Sequence, residues 1–423
     1  MSKSFASTLP STSERRKRVA WGEYAVICFL IVLITQPYSK FIFGNNWIEV
    51  GRGEIVDTDY RTVMISRIST IIVILGLVLV SAAARTDTRR ISRALKIWLP
   101  FLCYITFTLL WRHDFQTIFR YVNFVAVIVA VVIYVSLPGR GDRFLHSYFV
   151  VTIGMLTFSL LLMVVGSKLV YFYNGYDFQY TALTEQKGLL AFYASTTTIY
   201  SFIKYTQKQN KYFYLFCLVV SLINLILSTT VTYYFATLVA IFAIGRFKLV
   251  GYAFLFLAVT LPFFFEVFSS FFQLIGKDVT LTGRVYLWRY TLEHSQGFWA
   301  IFGHGTAYVS ETPGWKYMMQ QYFPTGAFAI PHSHNLWVET IYKYGIIGFF
   351  ILLYIFVRAA SARRPKGYKN GVIFKSFFIV YIVSSAANVL FYQTAMQGIL
   401  FMVLVTQLSL FSSERFRRDL ESV

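Results

Sequence analysis

A stretch of polar and aromatic residues ends at Pro331-His332-Ser333-His334-Asn335, and an apolar run opens directly after it with Leu336-Trp337-Val338-Glu339. A histidine titrates near working pH and can take a proton from a hydroxyl. His332 and His334 stand two residues apart, so they cannot share a helix face, which argues against a helix-borne metal pair. One of them can sit at the mouth of the coming helix. The alternative is an interfacial His-Asn that only caps that helix. Glu339 lies about one turn further in, where an acid is costly unless paired. It can orient His334, pair with Arg284, or form an i,i+4 pair with Lys343.

Upstream lies Thr280-Leu281-Thr282-Gly283-Arg284-Val285-Tyr286-Leu287-Trp288-Arg289. If a helix starts here, Arg284 and Trp288 share a face one turn apart. A guanidinium forks onto phosphate oxygens in a bidentate way, whereas an arginine that merely snorkels would reach for lipid headgroups. Phe302-Gly303-His304-Gly305 follows, and its glycines allow a tight turn and close backbone approach. The three cysteines, Cys28, Cys103 and Cys217, all fall inside apolar segments and have neither disulfide nor metal spacing.

The elements that must hold these residues are membrane helices. Of 423 residues, 57% are hydrophobic and only 14% charged, and mean hydropathy is +0.57. A soluble domain is closer to a quarter charged. The 19% of aromatic residues suits belts at two membrane interfaces. Apolar segments recur near 22–38, 64–84, 97–111, 121–138, 145–165, 188–203, 212–228, 231–245, 249–266, 336–357, 374–391 and 397–412. At about 20 apolar residues per span, they predict an all-α polytopic membrane protein with about twelve transmembrane helices. The whole chain, 1–423, reads as a single integral membrane domain, and 267–335 as a large periplasmic loop carrying short helices. Residues 1–20 end in Arg15-Arg16-Lys17-Arg18, and the first apolar run has no small-residue cleavage pattern, so it reads as an uncleaved signal anchor.

The net charge of +20 does not indicate nucleic acid, because the Lys and Arg lie in short runs between apolar segments. About two-thirds of the 39 Lys and Arg residues fall on the side that carries both termini, which the positive-inside rule makes cytoplasmic. No internal repeat suggests a transporter of duplicated halves.

Gly283-Arg284 with Trp288, then Gly303 and Gly305, then His334-Asn335 followed by nine residues and Gly345-x-x-Gly348, resembles the O-antigen ligase and O-antigen polymerase superfamily of bacterial membrane glycosyltransferases. The resemblance implies a GT-C-like fold and a multi-pass inner (cytoplasmic) membrane protein of the cell envelope. The donor it implies is a glycan linked to undecaprenyl pyrophosphate. The acceptor is a glycan or lipid-core hydroxyl, reached at the periplasmic face without metal or cofactor. It points to exopolysaccharide or O-antigen biosynthesis by a polymerase. The closest alternative is a ligase acting on lipid A–core or a protein; a lipid-glycan transporter or secretion scaffold is more distant. Membrane lipids and a chain-length regulator are the further expected partners. By this resemblance His334 is the base, with Asn335 and Glu339 beside it, and Arg284 binds the pyrophosphate. The sequence departs from the family in two places. The arginine expected near Ser228 is absent from Leu227-Ser228-Thr229-Thr230-Val231-Thr232-Tyr233-Tyr234, and an expected Asn is replaced within Glu185-Gln186-Lys187-Gly188. Lys187 and Arg289 are the charges expected to assist Arg284, and Arg120 is a further candidate.

Overall fold

A computed structural model describes residues 12–38, 60–82, 88–173, 178–184, 186–244, 246–264, 284–322, 332–363, 367–389 and 396–412. Gly283 and the parts of the large loop at 267–283 and 323–331 lie outside the described residues.

A helix stands at each of the twelve apolar segments. The first nine are α1 Thr12–Thr35, α2 Tyr60–Ala82, α3 Thr88–Phe107, α4 Phe115–Ser136, α5 Arg140–Val164, α6 Lys187–Thr206, α7 Lys211–Leu227, α8 Val231–Phe242 and α9 Phe247–Thr260. Three short helices follow: α10 Arg284–Glu293, α11 Phe298–Phe302 and α12 Trp315–Tyr322. The last three are α13 Leu336–Ala360, α14 Gly371–Ser385 and α15 Met396–Phe411. The all-α expectation needs one addition. Between α5 and α6, strands Tyr171–Tyr173 and Phe178–Tyr180 pair antiparallel, with Tyr171 opposite Tyr180.

The protein is therefore membrane-embedded and helical, but the described helices are unequal. Four are long and apolar enough to cross a membrane: Thr88–Leu110, Phe115–Ser136, Arg140–Val164 and Leu336–Ala360. As described, α8 has 12 residues. At 1.5 Å per residue it rises about 18 Å against a hydrocarbon core of about 30 Å. The helix α6 is long enough but polar, because Ser195-Thr196-Thr197-Thr198 runs through it. Those hydroxyls are buried and paired with neighbouring helices. Ser195 meets Thr237 at 2.7 Å, Thr196 meets Tyr148 at 2.7 Å, Thr197 meets Thr152 at 3.0 Å and Thr198 meets Ser221 at 3.0 Å. Polar side chains of this kind join helices where lipid offers no hydrogen bonds.

The centre of the bundle is α14 and α15. Every described residue of α15 is buried, as is nearly every one of α14. A helix apolar all round belongs in a core or a membrane. Around them pack α4, α8, α9 and α13. The outward faces of α7, α8 and α9 expose Phe216, Ile226, Phe235, Phe242 and Phe256, apolar side chains that suit lipid.

The short helices of the large loop are packed on the bundle rather than spread over its rim. Leu287, Val309, Trp315, Met318 and Met319 form one cluster with Tyr342 of α13, and Trp288 forms another with Val338. Arg120 at the start of α4 pins this loop through a 2.6 Å ion pair to Glu311 and stacks over Tyr308 at 4.4 Å.

Candidate active site

The helix α13 is broken, and the break explains the glycine spacing. At Gly345 the backbone turns to φ 60°, ψ −169° inside an otherwise helical run. Gly303 approaches from the loop at φ 72°. A Cβ on Gly345 would overlap the Ile301 carbonyl, and one on Gly303 would overlap the Lys343 carbonyl and the Gly345 nitrogen. Only two glycines let these backbones meet. The broken helix leaves the carbonyls of Tyr342 and Lys343 without their helical donors. The His304 N–H donates to the first at 2.9 Å and the Gly305 N–H to the second at 2.6 Å. Gly-x-Gly and Gly-x-x-Gly are thus two halves of one joint, and the nine residues between His334-Asn335 and Gly345 are the first half of α13. His304 is wedged there between the rings of Trp299 and Tyr342, each 4.4 Å away and nearly parallel, and its Nε2 meets the His294 carbonyl at 2.9 Å. It fastens the joint.

Asn335 starts the half-helix. Its Oδ1 accepts from the N–H groups of Trp337 at 2.8 Å and Val338 at 3.0 Å, an N-cap. Its Nδ2 donates to the Ala386 carbonyl beyond α14 at 2.8 Å. Both ends of the amide are engaged by backbone, so Asn335 acts through placement.

His334 precedes it at φ 55°, a left-handed conformation uncommon for a residue with a side chain. Three contacts impose it. The Ser333 N–H donates to Glu339 Oε2 at 3.0 Å, the Ser333 hydroxyl donates to the Asn335 carbonyl at 3.1 Å, and the His334 N–H donates to His332 Nδ1 at 3.4 Å. Glu339 is fully buried and meets the loop at Ser333, not at His334 or Arg284. Its other oxygen is 3.5 Å from Lys343 Nζ, the expected i,i+4 pair. Lys343 donates in turn to the Ala307 carbonyl at 2.8 Å. The rings of His332 and His334 meet edge to face, 4.5 Å apart.

Burial pushes the His334 imidazole well below the ordinary histidine range, and the neighbouring His332 and Arg284 push it the same way. His334 is therefore a neutral ring, and its Nδ1 is buried with no protein hydrogen bond among the described residues. Burial also lowers His332, opposed by the carboxylate of Glu339.

Arg284 is the first residue of α10, and Trp288 one turn on packs that helix against Val338 of α13. Burial lowers its guanidinium, and its field acts on Tyr233 and on His334. Among the described residues no carboxylate pairs with it. The Arg284 charge thus reaches His334. Arg289 lies on the exposed face of α10 and Lys187 is half-buried at the start of α6; neither is among the groups whose charge acts on His334 or Arg284. Arg120 is engaged by Glu311.

Two contributions escaped the sequence reading. Tyr233 enters from the first turn of α8, and Ser384, Ala386 and Asn388 enter from the end of α14. A Ser-Ser-x-x-Asn cluster closing an apolar span was the available signal. Among the described residues no group of three His, Cys, Asp or Glu could hold a metal ion.

A model of the O-antigen ligase family matches residues 181–353. That range runs from the approach to α6 into the second half of α13. It contains Tyr233, Arg284, the Gly303–Gly345 joint and His334, so the resemblance carried by the motifs is borne out. A comparison with curated proteins found no match.

Proposed function

We propose that this O-antigen-ligase-like membrane protein is a polysaccharide polymerase. It joins glycan repeat units carried on undecaprenyl pyrophosphate to a sugar hydroxyl, at the periplasmic face of a bacterial inner membrane. One observation carries this reading: a neutral, partly buried imidazole, His334, in the field of a partly buried guanidinium, Arg284, that has no carboxylate partner among the described residues. A cation drawn partly out of water without a counter-charge is costly, and a diphosphate supplies the missing charge. A neutral imidazole beside it can take a proton.

In the reaction the acceptor hydroxyl oxygen attacks the anomeric carbon as the bond from that carbon to the diphosphate oxygen breaks. His334 takes the hydroxyl proton, and Arg284 balances the charge that grows on the departing diphosphate. Attack opposite the leaving group inverts the configuration. Asn335 and Glu339 serve by fixing the loop: one caps α13, the other holds the Ser333 N–H. Lys187 and Arg289 stand further out, where positive charge draws the donor in. No metal takes part in this reading, and both termini lie in the cytoplasm.

A ligase shares this chemistry and differs only in its acceptor, and the family match covers both readings. Analysis of polymer and carrier-linked intermediates in a strain lacking the protein separates them. Loss of a polymerase leaves single repeats on the carrier. Loss of a ligase leaves long chains there. Unchanged polymer and intermediates would remove both readings.

A further inference from the structure

In the proposed function the diphosphate has one built ligand, Arg284, although it carries oxygens on two phosphorus atoms. The segment where the resembled family places a second arginine, Leu227 to Tyr234, contains no cation. Tyr233 comes from that segment. Its ring is buried, set edge-on against Phe192 at 6.1 Å. Its hydroxyl accepts from Asn388 Nδ2 at 3.3 Å, Ser384 reaches it, and it lies in the field of Arg284.

The chemistry of these neighbours is one-sided. An amide nitrogen and a guanidinium can only donate. Ser384 Oγ donates to the Tyr381 carbonyl at 3.2 Å, which leaves its oxygen and any bound ligand as the acceptors available to the phenol proton. One amide N–H points at the Tyr233 oxygen and the Arg284 charge acts on it, and among the described residues no carboxylate joins them. Such a point suits an anionic oxygen.

We infer that Tyr233 is the second diphosphate ligand: its hydroxyl donates to a phosphate oxygen beside Arg284, and Asn388 orients the phenol. This rests on the diphosphate reading of Arg284 and adds a residue to it. A phenol in place of an arginine contributes a hydrogen bond and no charge. The charge of the diphosphate then falls on Arg284, and Tyr233 discriminates a diphosphate from a monophosphate.

The experiment measures binding of undecaprenyl diphosphate and of undecaprenyl monophosphate to the purified full chain in nanodiscs, for wild type, Tyr233→Phe and Arg284→Ala. Tyr233→Phe keeps the ring and removes only the hydroxyl. It should weaken diphosphate binding by about 10- to 100-fold, the range for a hydrogen bond to a charged group, and bring the two affinities toward each other. Arg284→Ala should abolish diphosphate binding. If Arg284→Ala loses the diphosphate while Tyr233→Phe holds it as tightly as wild type, the Tyr233 assignment is overturned and the reading of Arg284 stands. If Tyr233→Phe weakens both ligands equally, the phenol is only structural and the assignment is again overturned. If Arg284→Ala binds normally, the diphosphate reading itself fails.

Discussion

Two substitutions at His334 separate a catalytic role from a capping role. At φ 55° any side chain crowds its own carbonyl, at a cost of about 1–2 kcal/mol. Glycine avoids that cost but brings more conformational freedom to the unfolded chain, worth about 0.5–1 kcal/mol. The cap itself belongs to Asn335, whose Oδ1 needs no imidazole. His334→Ala and His334→Gly delete the same ring and differ only in this backbone term. His334→Gly should therefore be the more stable of the two by roughly 0.5–1 kcal/mol, and both should lose about 10²–10⁴ in rate. Thermal unfolding of the two variants in one detergent measures the first difference, and polymer synthesis in a complemented deletion strain measures the second. A glycine variant no more stable than the alanine variant would show that the left-handed backbone at His334 is not strained. Near-normal polymer from either variant would remove the imidazole from the reaction.

Three further outcomes are expected. Arg284→Lys should damage product formation nearly as much as Arg284→Ala, by about 2–5 kcal/mol, because lysine keeps the charge and loses the fork; a lysine enzyme of normal rate would reduce Arg284 to a general positive charge. Gly345→Ala should destabilise the fold by about 2–5 kcal/mol, combining left-handed strain with overlap at the Ile301 carbonyl. A variant that melts with wild type would contradict the joint. Burial lowers His304, His332 and His334 below the ordinary value of 6.5, so protons bind the unfolded chain first. Stability should be full above about pH 6.5 and fall as pH drops below it, and His334→Gln should flatten that fall in melts taken from pH 8 to pH 5.

Much of this was legible in the sequence because it rests on local rules. Apolar runs long enough to be helices became helices, and Asn335 before Leu336 became the cap its type favours. Lys343 four residues after Glu339 became its partner. The arginine-tryptophan pair at i,i+4 became a buried anchor with its charge toward the site. What stayed hidden depends on contacts between distant segments. Nothing near Tyr233 in the sequence says that α8 will set it beside Arg284, about fifty residues away. Nor does anything near Glu339 say that its carboxylate will hold Ser333 rather than His334. The polar run in α6 hid in a different way. Its hydroxyls satisfy one another across four helices, so a segment that reads as marginally apolar is buried throughout.

The motif residues divide into those proposed to meet the substrate and those that hold the backbone in place. Gly303, Gly305 and Gly345 carry no reactive group, yet they fix where α13 breaks. With nine residues between Asn335 and Gly345, the half-helix is about 14 Å long at 1.5 Å per residue. Its lower end is clamped by the carbonyls of Tyr342 and Lys343. Its upper end is clamped by the Asn335 cap and the Ala386 carbonyl. The buried Glu339–Lys343 pair lies between the clamps and ties the half-helix to the loop at Ser333 and Ala307. A residue added to the half-helix would rotate His334 by about 100° about the axis and lift it about 1.5 Å, away from Arg284. The spacing is thus a statement about geometry: nine residues fix His334 relative to the Gly303–Gly345 joint, within reach of the Arg284 charge, and in the proposed reaction that is where a diphosphate would meet the attacking hydroxyl.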